Sequence, residues 1–190
     1  KCLANCHYMF AQQDRLAVAN NLKVILKTGQ VPAKTVREVF HNFGKYLVDF
    51  FTLTQRVNAD FIKKNVRIDQ GEYLNEALKH GKGCILVSAH LGSWEMAGPA
   101  LRSLGYPLAI VALPHRDLKV NEFFNAQREF FGQTVIPTSS AVRRVMEHLK
   151  QNRLIGMLAE RDFGKHGLIM DFLGRPTMIP KGAAIFSLKT

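Results

Sequence analysis

The sequence predicts an α/β fold: a central mixed, mostly parallel sheet flanked by helices, with a helical N-terminal lead. Three observations predict it. Short apolar runs such as Cys84-Ile85-Leu86-Val87 show no in–out alternation, the mark of strands buried on both faces. Amphipathic segments separate these runs, as crossover connections require. The first 70 residues carry helical periodicity and no such run.

In the lead, Leu16, Val18, Leu22, Ile25 and Leu26 recur near helical spacing over 14–26, and Gly29 follows as a stop. Pro32 opens a second helix. Its Val36, Val39, Phe40, Phe43, Leu47, Phe50 and Phe51 form one apolar face, suited to packing on the core or to touching lipid or an acyl chain. A helix over 71–80 runs into Gly81-Lys82-Gly83 and the first strand, 84–87. A helix over 94–104 stops at Gly105 before a strand at 108–113. Asp117 caps a helix bearing Val120, Phe123, Phe124, Phe130 and Phe131, and Gly132 leads into Thr134-Val135-Ile136. Ser139 or Ser140 caps a helix with Val142, Val145, Met146 and Leu149. Strands at 154–159 and 168–172 and a helix from 181 complete the pattern. Residues 1–70 read as a lead within the same domain and 71–190 as the α/β core. The chain starts at Lys1 and stops inside its last helix, so it reads as a fragment truncated at the C-terminus, whose missing ends have room for an anchor.

A chain of 190 residues with 47% hydrophobic and 22% charged side chains suits one globular domain and excludes a disordered or fibrous protein. Its formal charge of +11 predicts an anionic partner: nucleic acid, acidic headgroups or a phosphorylated substrate. Three cysteines, Cys2, Cys6 and Cys84, make no disulfide framework and fit a reducing compartment. Cys2, Cys6 and His7 lack a second ligand pair at zinc-like spacing, so no metal site is expected. No signal peptide is visible, and no apolar stretch nears the roughly 18 residues needed to span a bilayer.

Ligands of open α/β sheets gather at the carboxyl ends of strands. Three such ends are polar here: Ser88-Ala89-His90, Pro114-His115-Arg116-Asp117 and Glu160-Arg161-Asp162. With His90 at a strand end, Gly92 in the turn and Glu95 in the first helical turn, the carboxylate is placed to accept one imidazole proton. The other nitrogen then serves as a general base. A hydroxyl substrate would supply the nucleophile, since no G-x-S-x-G elbow, G-x-G-x-x-G or Walker motif occurs.

The stretch Ser88-Ala89-His90-Leu91-Gly92-Ser93-Trp94-Glu95 resembles the H-x4-D/E signature of glycerolipid-type acyltransferases, and its Trp before Glu is similar to the lipid A biosynthesis (lauroyl/myristoyl) acyltransferase branch. A second block extends the resemblance. It runs from Gly156 through Glu160-Arg161-Asp162-Phe163-Gly164 to Asp171-Phe172-Leu173-Gly174-Arg175-Pro176 and Pro180-Lys181-Gly182-Ala183-Ala184. The likeness covers roughly residues 15–190. Glu160-Arg161 replaces the family's usual Asp-Gln. Asp171 stands where many lipid A enzymes have proline, and an acid there looks more like the acyltransferases of phosphatidylinositol mannosides.

The resemblance implies a glycerolipid-acyltransferase-like fold and transfer of a fatty acyl group, from acyl carrier protein or coenzyme A, to a hydroxyl of a membrane glycolipid. The acceptor would be a lipid A precursor or, alternatively, a phosphatidylinositol mannoside or other lipid. His90 would be the base and Glu95 its orienting partner. Substrate contacts would fall to Arg116, Glu160, Arg161, Asp162, Asp171 and Arg175. Arg161 suits a phosphate or the oxyanion, with an ion pair to Glu160 or Asp162 as its other reading. Arg116 suits a phosphate or is a surface charge, and Arg175 a phosphate. The acyl thioester is a co-substrate, no cofactor is implied, and the expected place is the cytoplasmic face of a bacterial inner membrane. Basic Arg143, Arg144, His148, Lys150 and Arg153 form a solvated face or attract anionic lipid at about 1 kcal/mol per residue. Two other readings stand beside this one: a non-enzymatic module binding anionic lipid or polymer, and a hydrolase using His90 and Glu95 on water.

Overall fold

The computed structural model describes residues 1–162 and 167–190. The chain divides into two compact units, one of residues 1–52 with 169–177 and one of 53–168 with 178–190.

The first unit holds helices α1 (Cys2–Phe10), α2 (Gln12–Ile25) and α3 (Ala33–Phe51). The sequence reading had no helix at α1, whose first turn has no capping side chain and no acidic residue to announce it. Pro32 sits at the N-cap of α3, as its fixed φ favours. The apolar stripe of α3 divides: Val36, Phe40 and Phe50 are buried, while Val39, Phe43 and Phe51 are exposed. Tyr8 and His7 set ring edges against Phe40 at 5.4 and 5.3 Å, and the guanidinium groups of Arg15 and Arg37 lie over the Tyr8 ring at 5.3 and 5.1 Å.

The second unit opens with α4 (Leu53–Arg56) and α5 (Ala59–Asn65), the latter capped by Asn58, which accepts the Phe61 N–H at 2.9 Å. Helix α6 (Glu72–Lys79) leads to β1 (Cys84–Ser88). A 3₁₀ turn, Trp94–Met96, precedes α7 (Ala97–Ser103), and β2 (Leu108–Ala112) follows. Asp117 caps α8 (Leu118–Phe130) through the Val120 N–H, as expected. Then come β3 (Thr134–Pro137), α9 (Ala141–Lys150), β4 (Leu154–Leu158) and α10 (Gly182–Lys189).

The four strands make a sheet in the order β1-β4-β2-β3, and every neighbouring pair is parallel. The four-stranded sheet has no antiparallel strand of the kind the expected mixed sheet required. Among the described residues strand β5 (Leu168–Phe172) pairs with β6 (Arg175–Ile179) in a separate two-stranded sheet, and their two-residue connection makes them a hairpin.

Successive side chains on the parallel strands enter opposite layers. Ala109 and Ile155 pack with Ile136, Val145, Leu149 and Phe186, whereas their neighbours Leu108 and Leu154 pack with Leu101. Both faces are thus apolar, which is why the runs lack alternation. A third cluster, Leu53, Val57, Ile62 and Ala100, seats α4 and α5 on α7. Cys2, Cys6 and Cys84 are free thiols, and burial pushes the Cys84 thiol up from its ordinary value. Among the described residues no helix is long and apolar enough to cross a membrane, and no three His, Cys, Asp or Glu side chains gather as a metal site.

Candidate active site

Strands β1 and β4 are neighbours with Ser88 paired to Leu158, and the ladder continues one step further, the Ala159 N–H reaching the Ser88 carbonyl at 2.9 Å. His90 lies two residues beyond Ser88 and Glu160 two beyond Leu158. In a parallel pair equal offsets lie side by side, and His90 Nδ1 is bonded to Glu160 Oε1. A carboxylate only accepts, so Nδ1 carries the proton and Nε2 has the free lone pair. Among the described residues Nε2 takes no hydrogen bond.

The backbone holds the ring in place. The Leu91 N–H reaches back to the Ala89 carbonyl at 2.7 Å, a γ-turn centred on His90. Gly92 follows at φ +61°, a conformation natural to glycine. The chain then returns so that Trp94 sets its indole edge-on to the imidazole, 4.8 Å between centroids.

Glu95 does something other than expected. Its side chain is only 5% exposed, within the 3₁₀ turn rather than a first α-helical turn, and both its oxygens face Arg128 of α8. Nη2 donates to Oε1 at 2.7 Å and Nε to Oε2 at 3.2 Å, a two-pronged pair with a guanidinium itself 14% exposed. The structure therefore gives Glu95 to Arg128, and His90 to Glu160. The Arg128 guanidinium also lies over Phe124 at 5.7 Å, and Phe124 packs against the His115 ring at 4.4 Å. This chain ties the turn after β1 to the segment after β2.

Opposing influences act on the Glu160 carboxyl. Burial pushes it up. Hydrogen bonds from the His90 ring, from its own backbone N–H and from that of His90, together with the charge of a protonated His90, outweigh burial and hold it below the usual carboxylate range. Glu160 thus stays ionised beside the imidazole near neutral pH.

Arg116 lies exposed in the segment between β2 and α8, with Asn121 accepting the neighbouring His115 N–H at 3.0 Å. Arg161 follows Glu160 directly, and Asp162 accepts the Gly167 N–H at 3.0 Å. Phe163 and Gly164, from the same sequence block, lie outside the described residues. Asp171 and Arg175 belong to the hairpin of the first unit, where Asp171 accepts the Gly174 N–H at 3.2 Å and Arg175 opens β6. Lys181 occupies the N-cap position of α10. The basic residues of α9 and its exit are partly engaged. Arg143 pairs with Glu147, Arg144 donates to the Val135 carbonyl, and Arg153 meets His148 at 3.5 Å. Burial, then the charges of Arg153 and Arg144, lower the His148 pKa against the pull of Glu147.

Arg128 is the site residue that sequence reasoning missed. It sits in the last turn of α8, 33 positions from Glu95, with no motif around it. The sequence marks Glu160 as a substrate contact. The signal for its partnership with His90 is the equal two-residue offset from two apolar runs, which becomes readable only once β1 and β4 are known to be adjacent.

Comparison with known proteins gives consistent findings. A model of the bacterial lipid A biosynthesis acyltransferase family matches residues 1–190. A phosphatidylinositol mannoside acyltransferase of Mycobacterium tuberculosis (strain ATCC 25618 / H37Rv) is 30% identical over 165 residues, 84% of this chain and 52% of that protein. Its namesake in Mycolicibacterium smegmatis is 29% identical over 164 residues, 84% of this chain and 54% of that protein. A lipid A biosynthesis acyltransferase of Haemophilus influenzae is 25% identical over 104 residues, 54% of this chain and 33% of that protein. The chain spans about half the length of the curated mannoside acyltransferases it matches.

Proposed function

Because the chain belongs to the bacterial lipid A biosynthesis acyltransferase family, we propose that its protein moves a fatty acyl group from a thioester to a hydroxyl of a membrane glycolipid, with His90 as base and Glu160 as the carboxylate that orients it. The observation that carries this reading is the His90–Glu160 pair at the carboxyl ends of two adjacent parallel strands.

The chemistry follows from the pair. As the acceptor oxygen attacks the thioester carbonyl carbon, Nε2 takes its proton and the imidazole becomes cationic. The ionised Glu160 stabilises that cation and holds the tautomer that makes Nε2 basic. The tetrahedral oxyanion then collapses, the C–S bond breaks, and the imidazolium returns the proton to the departing thiolate. The Glu95–Arg128 pair fixes the turn that presents His90, so Glu95 supports the base from a distance. Arg161, next to Glu160 in sequence, suits the oxyanion or a substrate phosphate. Arg116, at the end of β2, suits the phosphate of donor or acceptor. Asp162, Asp171 and Arg175 complete the proposed substrate contacts. The thioester is carried by acyl carrier protein or coenzyme A.

Two acceptor types remain in view, a phosphatidylinositol mannoside and a lipid A precursor. The likeness to mannoside acyltransferases runs over more of the chain and at higher identity, so the mannosylated lipid is favoured. The proposed place of work is the cytoplasmic face of the inner membrane.

The test uses the full-length protein with labelled acyl thioesters and extracted glycolipid, the product being weighed by mass spectrometry. Wild type should make acylated acceptor and a folded His90→Ala variant at least about 100-fold less. Equal turnover by both would remove His90 as base. Free fatty acid in place of acylated acceptor would make the enzyme a hydrolase.

A further inference from the structure

The two edges of the parallel sheet are finished differently. At β3 the outward groups are guarded: the Val135 carbonyl takes the Arg144 guanidinium at 3.3 Å, and Pro137 has no N–H to present. At β1 they are bare. In a parallel ladder alternate residues turn to the same neighbour. The Cys84 N–H donates to the Arg153 carbonyl at 3.2 Å and the Ser88 carbonyl accepts the Ala159 N–H at 2.9 Å, so Cys84, Leu86 and Ser88 face β4. Ile85 and Val87 turn their N–H and C=O groups to the open side, where among the described residues they take no hydrogen bond. The strand has no proline or charge to guard that edge, and Val87 is 60% exposed.

Helix α10 carries the second observation. Phe186 packs with Val145 and Leu149 of α9 against Ala109 and Ile155, so the two helices share one face of the sheet. Helix α7, through Leu101, lies on the other face. The connection β1–α7–β2 crosses the sheet in one direction and β3–α9–β4 in the other. Opposite faces for opposite directions are what right-handed crossovers require.

Helix α10 also has the direction of a crossover helix. A Cβ at Gly182 would meet the Met157 methyl at 3.5 Å, near the carboxyl end of β4, whereas Phe186 packs with Ile155 nearer its start. Polypeptide leaving α10 is thus at the amino ends of the strands. A right-handed connection on this face continues in the direction taken from β3 to β4, and the next vacant place that way is the free edge of β1. Ile185 and Leu188 of α10 are 36% and 88% exposed, so the helix beside that edge has apolar surface left to cover. The chain spans about half the length of the mannoside acyltransferases it matches, so such proteins have polypeptide enough for a further strand.

We propose that the polypeptide following Thr190 forms a strand parallel to β1, bonded to Ile85 and Val87. Its carboxyl end comes out beside His90, on the side away from Glu160, and walls the site there. The added strand is detected without any acyl donor, so it and acyl transfer can fail separately.

The experiment uses the full-length protein. Amide hydrogen exchange, read residue by residue, should protect Ile85 and Val87 to within about tenfold of Leu86, whose N–H bonds to β4, and at least about 1,000-fold beyond an unstructured peptide. Protection of Leu86 alone, with Ile85 and Val87 exchanging as free amides, would overturn the proposal. Replacing Val87 by the photoreactive p-benzoylphenylalanine should capture a peptide from beyond residue 190. In a mixture of isotope-labelled and unlabelled protein, each cross-linked pair should carry a single label. Pairs of mixed label would assign the edge to a second copy of the chain and overturn the proposal, as would capture of a peptide from within 1–190. Exchange is read on the unaltered protein, so it decides even where the cross-linking variant folds poorly.

Discussion

Glu95→Gln and Glu160→Gln each remove one negative charge near His90, and the structure assigns them different consequences. At Glu95 the loss strands a guanidinium that is 14% exposed and whose two donors both face this carboxylate. Breaking a buried pair by removing one partner costs about 3–5 kcal/mol. At about 2–4 °C per kcal/mol for a protein this size, the melting temperature should fall by about 6–20 °C. Removing both charges with well-packed apolar substitutes, Glu95→Leu/Arg128→Met, should restore most of that loss, since the stranded charge is gone. At Glu160 the partner is a histidine 40% exposed, and the carboxylate itself is 19% exposed. A pair so open to water contributes under about 1 kcal/mol to stability, so the melting point should move little. Turnover should fall about 10²–10⁴-fold, because the tautomer is no longer enforced and the imidazolium no longer stabilised. Melting curves by circular dichroism, set beside initial rates of acyl transfer, separate the two variants. The reverse pattern, an inactive but fully stable Glu95→Gln and an active Glu160→Gln, would refute the assignment of partners.

The remaining predictions concern stability and reactivity. Glu160 binds its proton more weakly folded than unfolded, so its contribution is complete above the ordinary carboxyl value near about 4.3 and is lost as pH falls through the lower folded value. Urea titrations taken at decreasing pH should therefore show a gentler acid loss in Glu160→Gln than in wild type, and parallel curves would contradict this. Gly83→Ala should cost about 2–4 kcal/mol, because the residue sits at φ +75° and an added Cβ would lie 2.8 Å from the Arg153 carbonyl oxygen and 2.9 Å from the Leu149 Cα. Chemical denaturation measures this, and a loss under about 0.5 kcal/mol would mean that the two loops yield easily. Iodoacetamide should label exposed Cys2 and Cys6 first and Cys84 markedly later, because burial keeps the last thiol protonated. Three adducts appearing together by mass spectrometry would speak against a protected β1.

The parallel sheet is legible because strands buried on both faces have an obvious composition, and the runs 84–87, 108–113 and 154–159 read directly as such, within one residue of the strands observed. Their order is not, since pairing of β4 with both β1 and β2 is a matter of tertiary packing with no local signature. That gap explains the misplaced partner of His90. With only sequence distance as a guide, the carboxylate five positions away was favoured over the one 70 positions away. Local rules did work where the chemistry is local, as at the Asp117 cap. They also went unused at Asn58, whose cap announces α5 as clearly. The Leu173–Gly174 turn was unreadable for the opposite reason: its first residue is not one that such turns select.

Strand β4 has a second consequence, in the order of assembly. It is the last of the four strands to be synthesised and the one that joins β1 to β2, so until residues 154–158 arrive β1 has no ladder to β2 and β3. The same strand ends by delivering Glu160 to His90. Closure of the sheet and completion of the reactive pair are therefore a single event. A nascent or partly folded chain holds a histidine without its carboxylate, and competence for chemistry appears only with the native topology.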